Sequence, residues 1–90
     1  MKKEIEITEI LPDELEKNGI KSWPIWEKEV SKFDWFYEER EQFYLIEGKV
    51  KIKTENNEYE ISAGSFVTCS KGLACSWEVI EPVRKYYNFG

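Results

Sequence analysis

The sequence predicts an all-β fold, an antiparallel sandwich or barrel in a single domain over residues 1–90, with one short helix near its start. Three observations carry this. From Lys49 onward the chain reads as short alternating or β-rich runs separated by tight turns, the pattern of antiparallel strands. Four Trp, five Tyr and five Phe supply the apolar surface a small core needs and exclude a disordered tail. Ninety residues are too few to build a second core.

Taken in order, Glu4 to Ile7 alternates as a short strand. Pro12 suits a first helical position, Asp13 and Glu14 suit the helix dipole, and Asn18-Gly19 suits a stop, so a helix of at most two turns is predicted there. Between Ile25 and Tyr37 the period is ambiguous. Trp26, Val30, Phe33 and Tyr37 fall at helical spacing, while Phe33, Trp35 and Tyr37 alternate as in a strand. Val50, Ile52 and Thr54 alternate with Lys49, Lys51 and Lys53, a strand with one dry and one wet face. Asn56-Asn57 can form a two-residue hairpin turn, which sets Ile52 against Ile61, Thr54 against Tyr59 and Lys53 against Glu60. Ala63-Gly64 marks a turn, Ser65 to Cys69 a strand, and Ser70-Lys71-Gly72 another turn. Cys75, Trp77 and Val79 share one face of the next strand. Pro82 is expected to break it, leaving Val83 to Phe89 as a last strand.

Composition narrows the function. Thirteen basic against 18 acidic residues give a net charge of -5, the wrong sign for holding a phosphate backbone, so no nucleic-acid partner is expected. No stretch nears the roughly 20 apolar residues of a bilayer helix, and no membrane partner is expected. The start, Met1-Lys2-Lys3-Glu4-Ile5, lacks the apolar core and cleavage site of a signal peptide, which predicts a cytoplasmic protein. Cys69 and Cys75 form no Cys-x-x-Cys pair; a bridge between them across a hairpin is conceivable, and two reduced thiols are the expectation. The Glu and Lys enrichment resembles that of heat-adapted proteins. Histidine is absent, which removes the commonest metal ligand and the commonest general base.

Two spacings carry a family resemblance. Glu41 is followed by six residues and Gly48; Gly64 is followed by five residues, Ser70, Lys71, Gly72, two residues and Cys75. Their order resembles the two cupin motifs, Gly-x5-His-x-His-x3-4-Glu-x6-Gly and Gly-x5-Pro-x-Gly-x2-His-x3-Asn, over regions 35–48 and 64–79. The segments Trp23 to Trp35, Phe43 to Val50 and Glu81 to Tyr87 are similar to small single-domain cupins grouped with ureidoglycine aminohydrolase and ethanolamine-utilization-Q-like proteins. The resemblance implies a double-stranded β-helix, the jelly-roll barrel, and selects strands for Ile25 to Tyr37.

Carried over residue by residue, the resemblance places Trp35 and Tyr37 at the two first-motif histidines, Glu41 at the carboxylate and Cys75 at the second-motif histidine. Ser70 stands for the motif proline and Val79 for the asparagine. Tyr86 stands where small members often carry a further histidine. Only Glu41 and Cys75 retain ligand character, too few for an open metal site, so no cofactor is expected; a weakly held divalent ion would rest on those two. Glu41 reads either as a rim carboxylate paired with Arg40 or a lysine, or as a desolvated carboxylate in the barrel mouth. Cys75 reads as a small core residue or as a lumen thiol. Trp35, Tyr37, Phe43 and Trp77 are core aromatics or a stacking wall for a ligand. On the last strand Arg84 and Tyr86 share a side that Lys85 does not, and the first two are taken as ligand-facing.

The function expected is the binding of a small polar metabolite in an aromatic barrel pocket without a histidine-bound metal. The alternative is a lyase, isomerase or hydrolase reaction through Glu41 and Cys75 or Tyr37, with or without a weakly held divalent ion. Besides a small-molecule ligand, a second copy pairing through edge strands is the partner expected, giving a homodimer.

Overall fold

Two long strands organise the protein, and a bend in both turns one sheet into a barrel. The computed structural model describes residues 4–90; Met1, Lys2 and Lys3 of the segment read for a signal peptide lie outside them. The elements are β1 (Ile5–Glu9), α1 (Pro12–Lys17), a 3-10 turn (Ile20–Ser22), β2 (Ile25–Lys28), β3 (Ser31–Phe36), β4 (Glu41–Lys53), β5 (Glu58–Ser62), β6 (Ser65–Cys69) and β7 (Ala74–Phe89). All pairings are antiparallel, with strand order β1-β6-β4-β7-β2, β3 on β7 and β5 on β4. The first part of β4 pairs with β6 and its second part with β5. In the same way β7 pairs first with β3 and then with β2. The fold is all-β and antiparallel, as turns and alternation predicted, and it is the small jelly roll that the family resemblance implied.

The helix is one short segment, as expected. Pro12 opens it, Asp13 and Glu14 occupy its first turn, and Gly19 at φ 70 ends it. Ile25 to Tyr37 forms strands. Val30, which a helical stripe would bury beside Trp26 and Phe33, is 61% exposed and lies in the turn between β2 and β3. The first strand runs later than Glu4 to Ile7, because Ile5 to Glu9 pairs along β6.

Two local readings are corrected. The hairpin after β4 pairs Val50 with Ile61, Ile52 with Tyr59, Lys51 with Glu60 and Lys53 with Glu58, so the turn centres on Glu55-Asn56 rather than Asn56-Asn57. The shift is by two residues, which leaves every side chain on its own face and opposite charges still opposed. Pattern therefore fits both registers. The choice is made by the Glu4 carboxylate, which accepts hydrogen bonds from Thr54, Asn57 and Tyr59 at 2.6, 3.1 and 3.0 Å.

Pro82 does not break the last strand, and β7 runs unbroken through it. On one edge β3 pairing ends at Val79 and β2 pairing begins at Val83, so the missing Pro82 N–H falls in the gap between them. On the other edge the β4 register is irregular between Leu45 and Val50. Gly48, at φ 92, lies against Pro82 at this bulge; a Cβ there would sit 2.1 Å from the Pro82 carbonyl oxygen. The bulge also flips the inward face of β4, from Glu41, Phe43 and Leu45 before it to Val50 and Ile52 after it. The apolar ones among those side chains, Phe43, Leu45, Val50 and Ile52, pack with Tyr37, Ile61, Val67, Trp77 and Val79 in the core.

Candidate functional site

On β7 the buried positions are Cys75, Trp77, Val79, Val83 and Lys85, one alternating set that continues through Pro82. Lys85 therefore points inward. It pairs with Leu45 in the β4 register, and its stem runs along the sheet to Glu41 at the head of β4. Nζ donates to Glu41 Oε2 at 2.7 Å, and both side chains are buried. The ammonium lies 4.4, 4.6 and 4.8 Å from the ring centroids of Phe43, Trp77 and Trp26, within cation–π range on three sides. Burial pushes the Lys85 ammonium below its ordinary value, with the Glu41 charge opposing that displacement.

This pair forms the polar floor of a cavity of about 170 Å³, walled by Trp26, Phe33, Trp77 and Tyr87 and rimmed by the exposed Trp35 and Phe89. The wall is ordered by ring contacts: Phe33 stacks on Trp77 at 6.1 Å and 16°, and Trp26 meets Trp77 edge-on at 6.0 Å. Tyr37 is held by its backbone, whose N–H donates to Leu73 and whose carbonyl accepts from Gly72 in the turn before β7. Its hydroxyl is fully buried without a hydrogen-bond partner, and so is the Trp77 indole Nε1–H. Cys69 and Glu41 near Tyr37, and Cys75 near Trp77, lie outside hydrogen-bond geometry yet close enough to bear on ionisation. Burial, with those two neighbours, holds the Tyr37 phenol far above its ordinary range.

Trp35, Tyr37, Glu41 and Trp77 thus come together around one cavity, with Phe43 beneath Lys85. Cys75 does not join them. Its thiol faces the Trp35 carbonyl at 3.6 Å and borders a separate surface hollow with Asp34 and Phe36. Burial pushes it up to about 11. Cys69, directly opposite Glu41 on β6, is the thiol nearer the ion pair, and burial pushes it up to about 12. Both cysteines are free. Arg84 is exposed and Tyr86 half-buried on the face away from Lys85, so the cavity-facing member of that trio is Lys85. The expected break at Pro82 concealed it; strand alternation continued from Cys75, Trp77 and Val79 gives Lys85 directly. Glu41 is neither on the rim nor paired with Arg40, which bonds the Gly90 carbonyl instead.

A small jelly roll with glycines at Gly48 and Gly64 and an inward carboxylate at the head of β4 defines a small member of the cupin superfamily. More narrowly, the chain belongs to the EutQ-like cupin domain family, whose model matches residues 15–87. It is similar to a DUF861-family protein from Thermotoga maritima, with 49% identity and a TM-score of 0.92 over 97% of this chain and 100% of that one. It also resembles a DUF861-family protein of unknown function from Pseudomonas syringae, at 26% identity and a TM-score of 0.67 over 73% of this chain and 29% of that one. The EutQ protein of Clostridium difficile shares the fold, at 21% identity and a TM-score of 0.67 over 94% of this chain and 66% of that one. A search of curated proteins found no significant match.

The residues present do not fit the metal that the cupin motifs imply. Trp35 offers no lone pair, Cys75 faces a backbone carbonyl, and Glu41 is already engaged by an ammonium. Among the described residues no group of three Asp, Glu or Cys side chains converges on a point. Among the same residues no helix is long and apolar enough to cross a membrane.

Proposed function

We propose that the protein binds a small, flat, neutral metabolite in the aromatic cavity over Lys85 and Glu41. The observation that carries this is the cavity itself, an aromatic box over a buried ion pair, with Tyr37 in its lining and its Oη–H without a hydrogen-bond partner. A buried donor left unmade costs about 1–3 kcal/mol, and a ligand oxygen would recover it. The volume suits an aromatic ring or a molecule of a few carbons, since an apolar cavity of about 150 Å³ accepts benzene. The ion pair leaves the floor without net charge, which favours a neutral ligand over an anion.

The test is a titration with neutral polyols, acyl-ureas, amino alcohols and benzyl alcohol at millimolar concentration, following the four Trp Nε1–H resonances. At least one probe is expected to move the Trp77 signal, and Tyr37→Phe is expected to weaken that probe by about fivefold, the worth of one neutral hydrogen bond. If no probe moves Trp77, the reading fails. The alternative through Cys75 is not retained, because that thiol is buried, protonated at neutral pH and turned away from the cavity.

A further inference from the structure

We propose that Lys85 is an imine-forming amine and that the cavity takes a neutral aldehyde or ketone. This rests on the cavity reading above and names its substrate class. Among the cavity's lining residues Lys85 is the one that carries a nucleophilic nitrogen. Its Nζ is placed at the floor by three rings and one carboxylate. Amine chemistry needs a free lone pair, and an apolar wall that penalises the ammonium, with a carboxylate at 2.7 Å to receive its proton, supplies one. The carbonyl oxygen needs a donor, and Tyr37, in the lining beside Glu41, has an Oη–H without a hydrogen-bond partner.

The atoms balance without a co-reactant. The Lys85 ammonium passes one proton to Glu41, and its lone pair attacks the carbonyl carbon. The carbonyl π pair moves to oxygen, which takes a proton from the new nitrogen centre and becomes the carbinolamine hydroxyl. Glu41 then returns its proton to that hydroxyl. Water leaves, carrying the C–O electron pair, and the nitrogen lone pair closes the C=N bond. Ammonium and carbonyl have become iminium and water, and Glu41 is again a carboxylate facing a cation. Because the one cation at the floor, ammonium before the reaction and iminium after it, faces Glu41, a carboxylate on the substrate would have no partner, which selects a neutral carbonyl compound.

The experiment uses benzaldehyde with sodium cyanoborohydride near neutral pH, mapping the reduced adduct by peptide mass spectrometry, and benzyl alcohol as the unreactive isostere followed at Trp77 Nε1–H. Lys85 is expected to be labelled at least about tenfold faster than the average of the exposed lysines, whose amines stay protonated. Glu41→Gln is expected to slow Lys85 labelling by about a hundredfold, the lower end of general acid–base catalysis, its folded state being followed by the Trp Nε1–H spectrum. Labelling confined to other lysines while benzyl alcohol moves Trp77 would overturn the imine and leave the cavity reading intact. Absence of both signals would overturn both. Faster labelling of Lys85 by phenylglyoxylate than by benzaldehyde would overturn the choice of a neutral substrate.

Discussion

Lys85 and Glu41 each lose their water on folding; each recovers part of that loss from the other, and Lys85 a further part from three aromatic faces. Removing one member of such a pair strands a buried charge, which costs about 3–5 kcal/mol; replacing both with apolar groups of similar size is often nearly neutral. Lys85→Met and Glu41→Met are therefore each expected to be markedly less stable than the parent, and the double variant more stable than either. Urea denaturation of the four proteins gives the coupling directly, and additive losses would show that the pair is not a unit. The motif at Glu41 was legible in the sequence because carboxylate and glycine spacing survive there. Its partner was not, because a lysine flanked by Arg84 and Tyr86 in a polar-looking run gives no sign of burial until the parity of β7 is known.

At the level of elements, alternation and turn residues were sufficient for the short helix and for the strands from β4 to the first half of β7; Ile25 to Tyr37 needed the family resemblance, and the inward face of Val83 to Phe89 was misassigned. Those signals did not decide events at the middle of β4 and β7. Pro82 is a strand breaker by local chemistry, and only the gap between β2 and β3 makes its missing donor harmless. Gly48 is the other half of that arrangement, since a side chain there would meet the Pro82 backbone. Gly64 has a similar backbone, φ 97, with nothing within 4 Å of its missing Cβ. The comparison separates strain from collision. Gly64→Ala is expected to lose about 1–2 kcal/mol, the left-handed backbone alone. Gly48→Ala is expected to lose about 3 kcal/mol or more, because the neighbour is main chain and cannot swing aside. Equal losses by urea denaturation would mean that the bulge yields without resistance.

For the molecule as a whole, the buried ionisable groups set how stability follows pH in alkali. The Cys69 thiol has an ordinary value of 9.0 and is pushed up to about 12 by burial, so between those limits the unfolded chain has released a proton that the folded chain keeps. Fewer protons bound in the unfolded state means stability falling as pH rises. Tyr37, raised from 10.0, acts in the same direction, as does Cys75 over a narrower range. Lys85 opposes them: lowered from 10.5 by burial, it is released sooner in the folded protein, so its contribution rises with pH until 10.5 and then stops. The two tendencies overlap below about pH 10.5, and only the fall remains above it. Urea denaturation from about pH 8 to about pH 11.5 is expected to show no fall below about pH 9, a shallow decline from there to about pH 10.5 and a steeper one above it. Cys69→Ala should reduce the steep part by up to about 1.4 kcal/mol per pH unit. In Lys85→Met the decline between about pH 9 and about pH 10.5 should be steeper than in the parent, since the opposing group is gone. A stability that keeps rising above about pH 10.5 would contradict the burial of these groups around one floor.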